Sequence, residues 1–471
     1  MDSSPATPTQ KVAVPRYSYY ALSVLTLVNF LNYIDRQVLP AVAPSMRAEL
    51  GLSQAEIGFM EDALLISFTV LALLFGRLGD RYSRTKLMAI AAAVWSIATG
   101  LTAITDHSPW LPHGIEFQIP ILHLTVLLSG VALALCAVRA LVGIGESSYS
   151  TITPTLIADY FPPDRRATAL GTFQAAIPMG FALGYAIGGV LASYFGWRVA
   201  FMTVGLPGLI TAVIVWLLKE PERGKTETAA SVLELEANEP AIAGHNQSWL
   251  RTCWQIIRTR DWLLSTAGYT ALTFVLGAFA TWASSLLQEE KGMSELGANL
   301  VLGITTLAAG ALGTFGGGWI ADRIVAKKRN GYFLVCAVGS LLGIVPSILA
   351  LVTHRPIYFI TAIFLTVFFL FINNAPFHAI LVSSVPPSIR ASAMALNIVA
   401  IHLFGDVISR GGVGMLSDNL KLGKVGPLAG AAAIFRIDPI REHLTAALLL
   451  VPPALLISAL FFYWGAKRHR R

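Results

Sequence analysis

Long apolar runs separated by short polar segments dominate the chain. A helix needs about 20 apolar residues to cross the hydrocarbon core of a membrane, and twelve runs of roughly that length can be drawn. They cover residues 17–43, 54–78, 84–105, 122–157, 166–194, 197–218, 262–288, 295–322, 330–352, 356–384, 389–416 and 443–466. A transmembrane β-barrel would instead show alternating segments of about ten residues. The pattern therefore predicts an all-α membrane protein with twelve transmembrane helices.

Composition supports this class. The 471 residues are 55% hydrophobic and 13% charged, whereas soluble domains are about 25% charged, so a soluble enzyme is excluded. The net charge of +7 is interpreted as membrane topology, not nucleic-acid binding. The chain lacks GxxxxGK[ST], a nucleophile elbow and HExxH, and its three cysteines form no CxxC. We therefore expect neither an enzyme nor a nucleotide-driven pump, and no cofactor or metal.

A polar stretch over about 219–260 divides the spans into two halves, 1–218 and 261–471. Its end, from Trp249 to Arg260, is amphipathic and basic, which predicts a helix along the membrane interface. The halves repeat each other: GRLGDRYSRTKLM (76–88) matches GGWIADRIVAKKR (317–329), and FPPDRRATAL (161–170) matches VPPSIRASAM (385–394). Such a parallel repeat is typical of transporters whose halves rock against each other.

Lysine and arginine are distributed unevenly between the two sides of the predicted bundle. With both termini cytoplasmic, 23 lie on the cytoplasmic side, 8 on the opposite side and 3 within spans. The positive-inside rule therefore favours cytoplasmic termini. The stretch Asp106–His123 is then an extra external segment, which we expect to be a plain loop.

Four segments carry a family resemblance. They are FLNYIDRQVLP (30–40), GDRYSRTKLM (79–88), RALVGIGESSYSTITPTLIADYF (139–161) and HLFGDVISRGGVGMLSD (402–418). The first three and the G-D and L-S-D elements of the fourth resemble the Spinster family of the major facilitator superfamily, over essentially the whole chain. Val407–Val413 and the external insertion depart from the family pattern. The resemblance implies a major facilitator fold and a lysolipid or sphingolipid substrate.

Ionisable residues within spans are expensive, at about 2.5–3.5 kcal/mol each on insertion scales, and indicate a site. The N-half holds Asp35, Arg36, Arg139 and Glu146, with Asn32 nearby. Arg139 and Glu146 are seven residues apart, so they share a helix face, roughly 10 Å apart along the axis. Asp35 could stand opposite Arg139, whereas Arg36 is about 100° from Asp35, and we expect one of these two to face elsewhere.

Two carboxylates that compete for one arginine make a switch, because protonation of one frees the arginine for the other or for an anionic substrate. We therefore expect Asp35 and Glu146 to carry protons, and Arg139, Asn32 and Arg36 to bind substrate. The alternative is that these residues only form contacts between helices, with Arg139 as a counter-charge.

The C-half offers a second polar wall of His402, Asp406 and Arg410, spaced four residues apart. We expect these residues to bind substrate or, alternatively, to pair with one another along the helix. Candidate gating residues follow spans two and eight, where a carboxylate can pair with an arginine across the bundle and latch the cytoplasmic side: Asp80, Arg81, Asp322 and Arg323. Glu61 and Asp62, at the external start of span two, are expected to form a solvated gate pair.

The sequence thus predicts a secondary transporter that moves an amphipathic, lipid-like anion by alternating access, coupled to protons. We expect a monomer, surrounded by membrane lipids, in a bacterial inner membrane. Two alternatives stay open: a proton-coupled symporter of small organic anions such as sugar acids, and a receptor or scaffold that does not transport.

Overall fold

The computed structural model describes residues 14–108, 111–119, 124–222, 249–325, 327–328, 330–385, 389–423 and 428–468. Helices dominate this part of the chain. Those of the N-half are α1 (Arg16–Leu50), α2 (Gln54–Arg81), α3 (Arg84–Thr102), α4 (Gly130–Tyr160), α5 (Pro163–Phe195) and α6 (Trp197–Trp216). Short α7 (Trp249–Arg258) is a helix in the segment where one was predicted, and its position along the membrane interface stays a prediction.

The C-half contains more interrupted helices. They are α8 (Arg260–Ser285), α9 (Glu295–Val325), α10 (Gly331–Val352), α11 (Pro356–Ile372), α12 (Asn374–Ser383), α13 (Arg390–Ile401), α14 (Val407–Lys421), α15 (Leu428–Ile434), α16 (His443–Leu448) and α17 (Val451–Arg468). The described residues include two π-helical turns, at Leu286–Glu290 after α8 and at His402–Asp406 between α13 and α14. The second lies within the predicted polar wall.

Ten helical segments of the described chain are long and apolar enough to cross a membrane. Helices α1 and α2 are 35 and 28 residues long but lie outside that set. The prediction of an all-helical membrane protein is confirmed, and the count of twelve spans stays a prediction.

The two halves repeat the same packing. In the N-half, α1 packs on α5, α2 on α4, and α3 on α6; in the C-half, α8 packs on the π turn and α14, α9 on α11, and α10 on α17. The halves meet where α5 packs on α9 and α2 packs on α14. These two contacts are equivalent under exchange of the halves, as a parallel repeat requires.

The segment between α3 and α4 is not a plain loop, which corrects the prediction. It contains an antiparallel hairpin of β1 (Ile115–Ile119) and β2 (Leu124–Leu128), with Ile115 opposite Leu128. Consequently α4 begins at Gly130, after a cap in which the Ser129 hydroxyl accepts from the Ala132 amide, and not at 122. A short apolar run such as that of β2 fits a strand or the start of a helix equally well.

We call the end of the bundle with this hairpin the insertion end. The opposite end, with the connections at 82–83 and 161–162, is the motif end. Helices α1 and α8 begin there and α17 finishes there.

Glycines let the helices approach closely. A Cβ at Gly180 or Gly184 of α5 would collide with α1, at 2.6 Å from an atom of Tyr33 or Ile34, whereas one at Gly189 would lie 2.5 Å from Asn299 of α9. Most of the glycine face of α5 therefore serves packing inside the N-half, and Gly189 lies at the contact between halves.

Candidate functional site: a buried cluster of carboxylates and arginines

Glu146 on α4 pairs with Arg36 on α1. Their Oε2 and Nε atoms are 2.6 Å apart; the Glu146 side chain is fully buried, and that of Arg36 is 16% exposed. The Arg36 guanidinium lies over the rings of Tyr33 and Phe68, at 5.2 and 4.7 Å. Arg36 is thus the arginine of Glu146, and it retains an accessible surface.

Asp35 points to a different neighbour. Its Oδ2 accepts hydrogen bonds from Trp95 Nε1 at 2.8 Å and Thr99 Oγ1 at 3.0 Å on α3, and its Oδ1 has no hydrogen-bond partner. Asp35 and Arg36 therefore serve different helices, as their 100° separation predicts, although both lie inside the bundle. The sequence allowed Asp35 to stand opposite Arg139, but among the described residues the two form no ion pair, because neutral donors hold the carboxyl group against α3.

Arg139 binds Glu61 instead. The Glu61 carboxylate lies between two arginines: Oε1 is 3.4 Å from Arg139 Nη2 in the N-half, and Oε2 is 2.5 Å from Arg410 Nη1 in the C-half. Glu61 and Asp62 are 2% and 5% exposed, so the prediction of a solvated pair is wrong. Glycines allow this burial, since a Cβ at Gly58 would lie 2.6 Å from the Arg410 carbonyl oxygen.

Arg139 is fully buried, and its Nε and Nη1 have no hydrogen-bond partner. An unpaired buried donor costs about 1–3 kcal/mol, and more when it is charged. Arg139 is therefore a buried positive charge that pairs with Glu61 and has two N–H groups without a partner. In this conformation a ligand does not reach it. Asn32, four residues before Arg36, is also buried.

The C-half wall is only partly self-paired. His402 Nδ1 lies 2.7 Å from Asp406 Oδ2, and the His402 ring meets the edge of Phe68 on α2 at 6.1 Å. Because a π turn holds more residues than an α turn, it rotates the helix that follows, and Arg410 then reaches Glu61. The wall thus contains the pair of His402 with Asp406, and its third member, Arg410, forms an ion pair with Glu61 of the other half.

Further contacts join the halves at the insertion end. The Asp418 carboxylate, on α14, accepts from the backbone amides of Gln54 and Ala55 at 3.0 and 2.7 Å. An anion at this place is favourable, because the first amides of α2 lack partners within the helix. Glu289 binds Arg47 at 2.6 Å. Sequence reasoning noted the L-S-D element but missed this role, since the helix that Asp418 caps belongs to the other half.

The predicted gating residues at the motif end behave differently. Asp322 is exposed and accepts from the Tyr332 hydroxyl at 3.3 Å, and Arg323 lies 3.8 Å from the ring centre of Trp319. Arg81 is exposed, and the side chain of Asp80 lies outside the described part of the chain. Asp322 and Arg323 thus contact residues of the C-half, and within the described part of the chain they do not form the expected cross-bundle pairs in this conformation.

A neighbouring arginine organises the N-half at this end. Arg84 binds Asp159 at 2.6 Å and Glu220 at 3.2 Å. Glu220 lies beyond the last N-half span. Partial burial raises its pKa, but hydrogen bonds from Ser83 and Arg84 outweigh that effect and hold the pKa of Glu220 below its ordinary value.

Comparisons with known proteins agree with this architecture. The sequence model of the Major Facilitator Superfamily matches residues 25–408 of this chain. Protein spinster of Drosophila melanogaster is 31% identical over 425 residues, which are 88% of this chain and 64% of that protein. Human Protein spinster homolog 1 is 33% identical over 86% of this chain and 74% of its own length.

Solved structures show the same fold. A bacterial homologue of the human lysosomal transporter Spinster, in an inward-facing and unoccupied conformation, has a TM-score of 0.77 at 20% identity and covers 97% of this chain and 98% of its own. The D-xylose–proton symporter has a TM-score of 0.71 at 20% identity and covers 95% and 97%. The chain therefore belongs to the Spinster family of the Major Facilitator Superfamily, and it is a membrane transport protein and not an enzyme.

Proposed function

We propose that this protein carries an amphipathic, lipid-like anion across a bacterial inner membrane by alternating access, with protons as the coupling ion. The observation that carries the proposal is an apolar groove that follows α1 from the motif end towards Arg36. Resemblance to the Spinster family suggests a lipid substrate, and the groove can hold the acyl chain of such a lipid.

The groove, which we call groove 1, lies between α1 and α5 and has a volume of about 740 Å³, within the usual range for ligand sites. Most of its lining is apolar, including Leu22, Phe30 and Met179, and one wall holds the buried Thr26 hydroxyl, which has no hydrogen-bond partner. Such a groove suits an acyl chain, and Thr26 is one of several polar residues in its lining, with Tyr19, Ser23, Arg165 and Thr172.

The inner end of groove 1 lies about two turns of α1 before Arg36. Phe30 lines the groove, Tyr33 follows one turn later, and Arg36 lies about 9 Å beyond Phe30 along the helix. The planar guanidinium matches phosphate or carboxylate oxygens in pairs. We therefore place the anionic head group at Arg36, with Arg139 behind it as counter-charge.

Proton coupling rests on the charge inventory of the cluster. Five carboxyl groups stand against three arginines; the carboxyl groups are Asp35, Glu61, Asp62, Glu146 and Asp406, and the arginines are Arg36, Arg139 and Arg410. Burying an uncompensated charge is expensive. Protons on some of the carboxyl groups would remove the excess.

The cycle we propose uses the Arg36–Glu146 pair as its switch. A proton on Glu146 releases Arg36, which then binds the anionic head group. Loss of that proton restores the ion pair and displaces the head group. Asp35, held by neutral donors, is the second proton carrier. The proposed cycle keeps Asp35 and Glu146 as the proton carriers, but the arginine for which a carboxylate and the substrate compete is Arg36 and not Arg139.

Gating follows from the contacts at the insertion end. We propose that Glu61 with Arg410, and Asp418 at the start of α2, close this end, and that they must separate when the motif end closes. With the termini cytoplasmic, as the positive-inside count favours, the conformation described here is inward-facing.

The test is flux into proteoliposomes of a lysophospholipid and of a sugar acid, each with and without a pH gradient. We expect gradient-driven lysolipid uptake. Ala175→Trp, which fills groove 1 from an exposed lining position, should abolish lysolipid uptake, and Ala271→Trp on α8 in the other half is its matched control. Arg36→Lys keeps the charge but loses the fork, so substrate affinity should fall by about 1.5–3 kcal/mol.

Each competing function predicts another result. Uptake of the sugar acid that survives Ala175→Trp would identify a symporter of small organic anions. Binding without flux of either compound would identify a receptor or scaffold, which the buried charges argue against because they are costly to keep.

A further inference from the structure

A second groove of the same size lies in the C-half. Its walls come from α8, α13 and α17, and its volume is about 740 Å³. Leu263, Phe404 and Ile457 line it and are 45%, 64% and 47% exposed, so it opens on the surface of the bundle. We call it groove 2.

The two grooves occupy equivalent places in the repeat, because α8 and α13 correspond to α1 and α5. Their surroundings differ. Helix α1 of groove 1 carries Arg36, whereas α8 of groove 2 has no charged residue after Asp261. Groove 2 therefore offers no head-group site deep in the membrane.

Few polar side chains line groove 2. Trp262 donates through Nε1 to the Ala393 carbonyl oxygen at 3.2 Å, and Thr266 donates to Asn397 Oδ1 at 3.1 Å. Groove 1, by contrast, holds the unpartnered Thr26 hydroxyl. Groove 2 is thus suited to a plain hydrocarbon chain.

The groove has the length of one leaflet. From Leu263 to Phe274 it follows α8 for eleven residues, or about 17 Å at 1.5 Å per residue. Half of a hydrocarbon core of about 30 Å is about 15 Å. Its outer end, at Ile257, is at the motif end of the bundle.

Basic side chains surround that outer end. Arg258 and Arg260 flank it in sequence and are exposed, as are Arg251 and Lys467. Asp261 is engaged by Arg468 at 3.3 Å. Arg258 lies 5.0 Å from the ring centre of Trp254, an exposed aromatic residue on the same short helix. Aromatic and basic residues together are typical of the membrane interface.

We propose that groove 2 binds an acyl chain of an anionic membrane phospholipid, with the phosphate on the basic rim formed by Arg258 and Arg260. This lipid is a bound component of the protein and not its cargo. The site is independent of the transported substrate, since it has neither the deep arginine nor the free hydroxyl of groove 1.

Native mass spectrometry of the full-length protein in detergent tests this site. The probes are dioleoylphosphatidylglycerol and dioleoylphosphatidylcholine, which share chains and differ in head-group charge. We expect tighter binding of phosphatidylglycerol to the unchanged protein. One basic residue near the membrane surface is worth about fivefold in affinity, so the double variant Arg258→Gln with Arg260→Gln should bind phosphatidylglycerol about 25-fold more weakly, with phosphatidylcholine unchanged.

Matched variants separate the groove from the rim. Ala271→Trp, which fills groove 2, should weaken both lipids, and Ala175→Trp, which fills groove 1, should affect neither. Arg441→Gln, at an 88% exposed arginine of the insertion end, should keep the preference. Equal affinity of the two lipids for the unchanged protein, or loss of phosphatidylglycerol in Ala175→Trp, would overturn the proposal. So would an Ala271→Trp protein that loses lysolipid flux but keeps phosphatidylglycerol.

Discussion

Replacing Glu61 with glutamine should open the insertion end. The change removes the charge that lies between Arg139 and Arg410, at 3.4 and 2.5 Å, and leaves the two guanidinium groups facing each other. Removing one partner of a buried ion pair costs about 3–5 kcal/mol. This cost is specific to the closed insertion end, because Arg410 belongs to the other half. Since 1.4 kcal/mol corresponds to a factor of ten, the closed population should fall by about two to three and a half powers of ten relative to the open one.

Spin labels can measure this shift. Cysteines in place of Tyr194 and Ile357, in a cysteine-free background, put labels on opposite halves at exposed positions of the insertion end. Double electron–electron resonance in nanodiscs should show one short distance in the parent protein and a dominant longer distance in Glu61→Gln. Glu49→Gln is the matched control, because Glu49 binds Trp197 and Arg198 within the same half.

The same experiment can refute the reasoning. An unchanged distance distribution in Glu61→Gln would mean that this carboxylate does not hold the end closed. An equal shift in Glu49→Gln would assign the effect to general destabilisation of this end.

Three further predictions concern coupling, topology and pH. Asp35→Asn or Glu146→Gln should reduce gradient-driven flux to the level without a gradient while counterflow exchange survives; normal proton dependence in both variants would remove them from the mechanism. On intact cells, an impermeant thiol reagent should label a cysteine placed at exposed His113 but not one placed at exposed Gln255. The native Cys253 is less suitable for this test because it is buried. The pKa of Glu220 is lowered in the folded protein from an ordinary value of 4.5, so the ionised carboxylate should stabilise the fold fully above pH 4.5 and lose this effect as the pH falls through the folded pKa. The difference in melting temperature between the parent and Glu220→Gln should therefore shrink on acidification. A constant difference would contradict the assignment.

The sequence alone was sufficient for the helical membrane fold and for its repeat of two halves. In a bilayer every backbone hydrogen bond must be satisfied within the protein, so long apolar runs become helices. Matching motifs after spans two and eight, and after spans four and ten, predicted the repeat that the packing then showed. The cost of burying charge in a membrane also indicated the candidate site, because it marks ionisable residues such as Asp35, Arg139 and Glu146.

The tertiary structure decided which of these charges meet. Helical periodicity fixes the face on which a side chain lies, but not the neighbour that faces it. Arg139 thus pairs with Glu61 and not with Asp35, and Glu146 pairs with Arg36. Asp418 caps a helix 364 residues away in sequence. The hairpin before α4 escaped prediction because a five-residue apolar run fits a strand or a helix. Local sequence sets secondary structure, whereas ion pairs depend on the packing of distant helices, which close-contact glycines such as Gly58 permit and no single segment encodes.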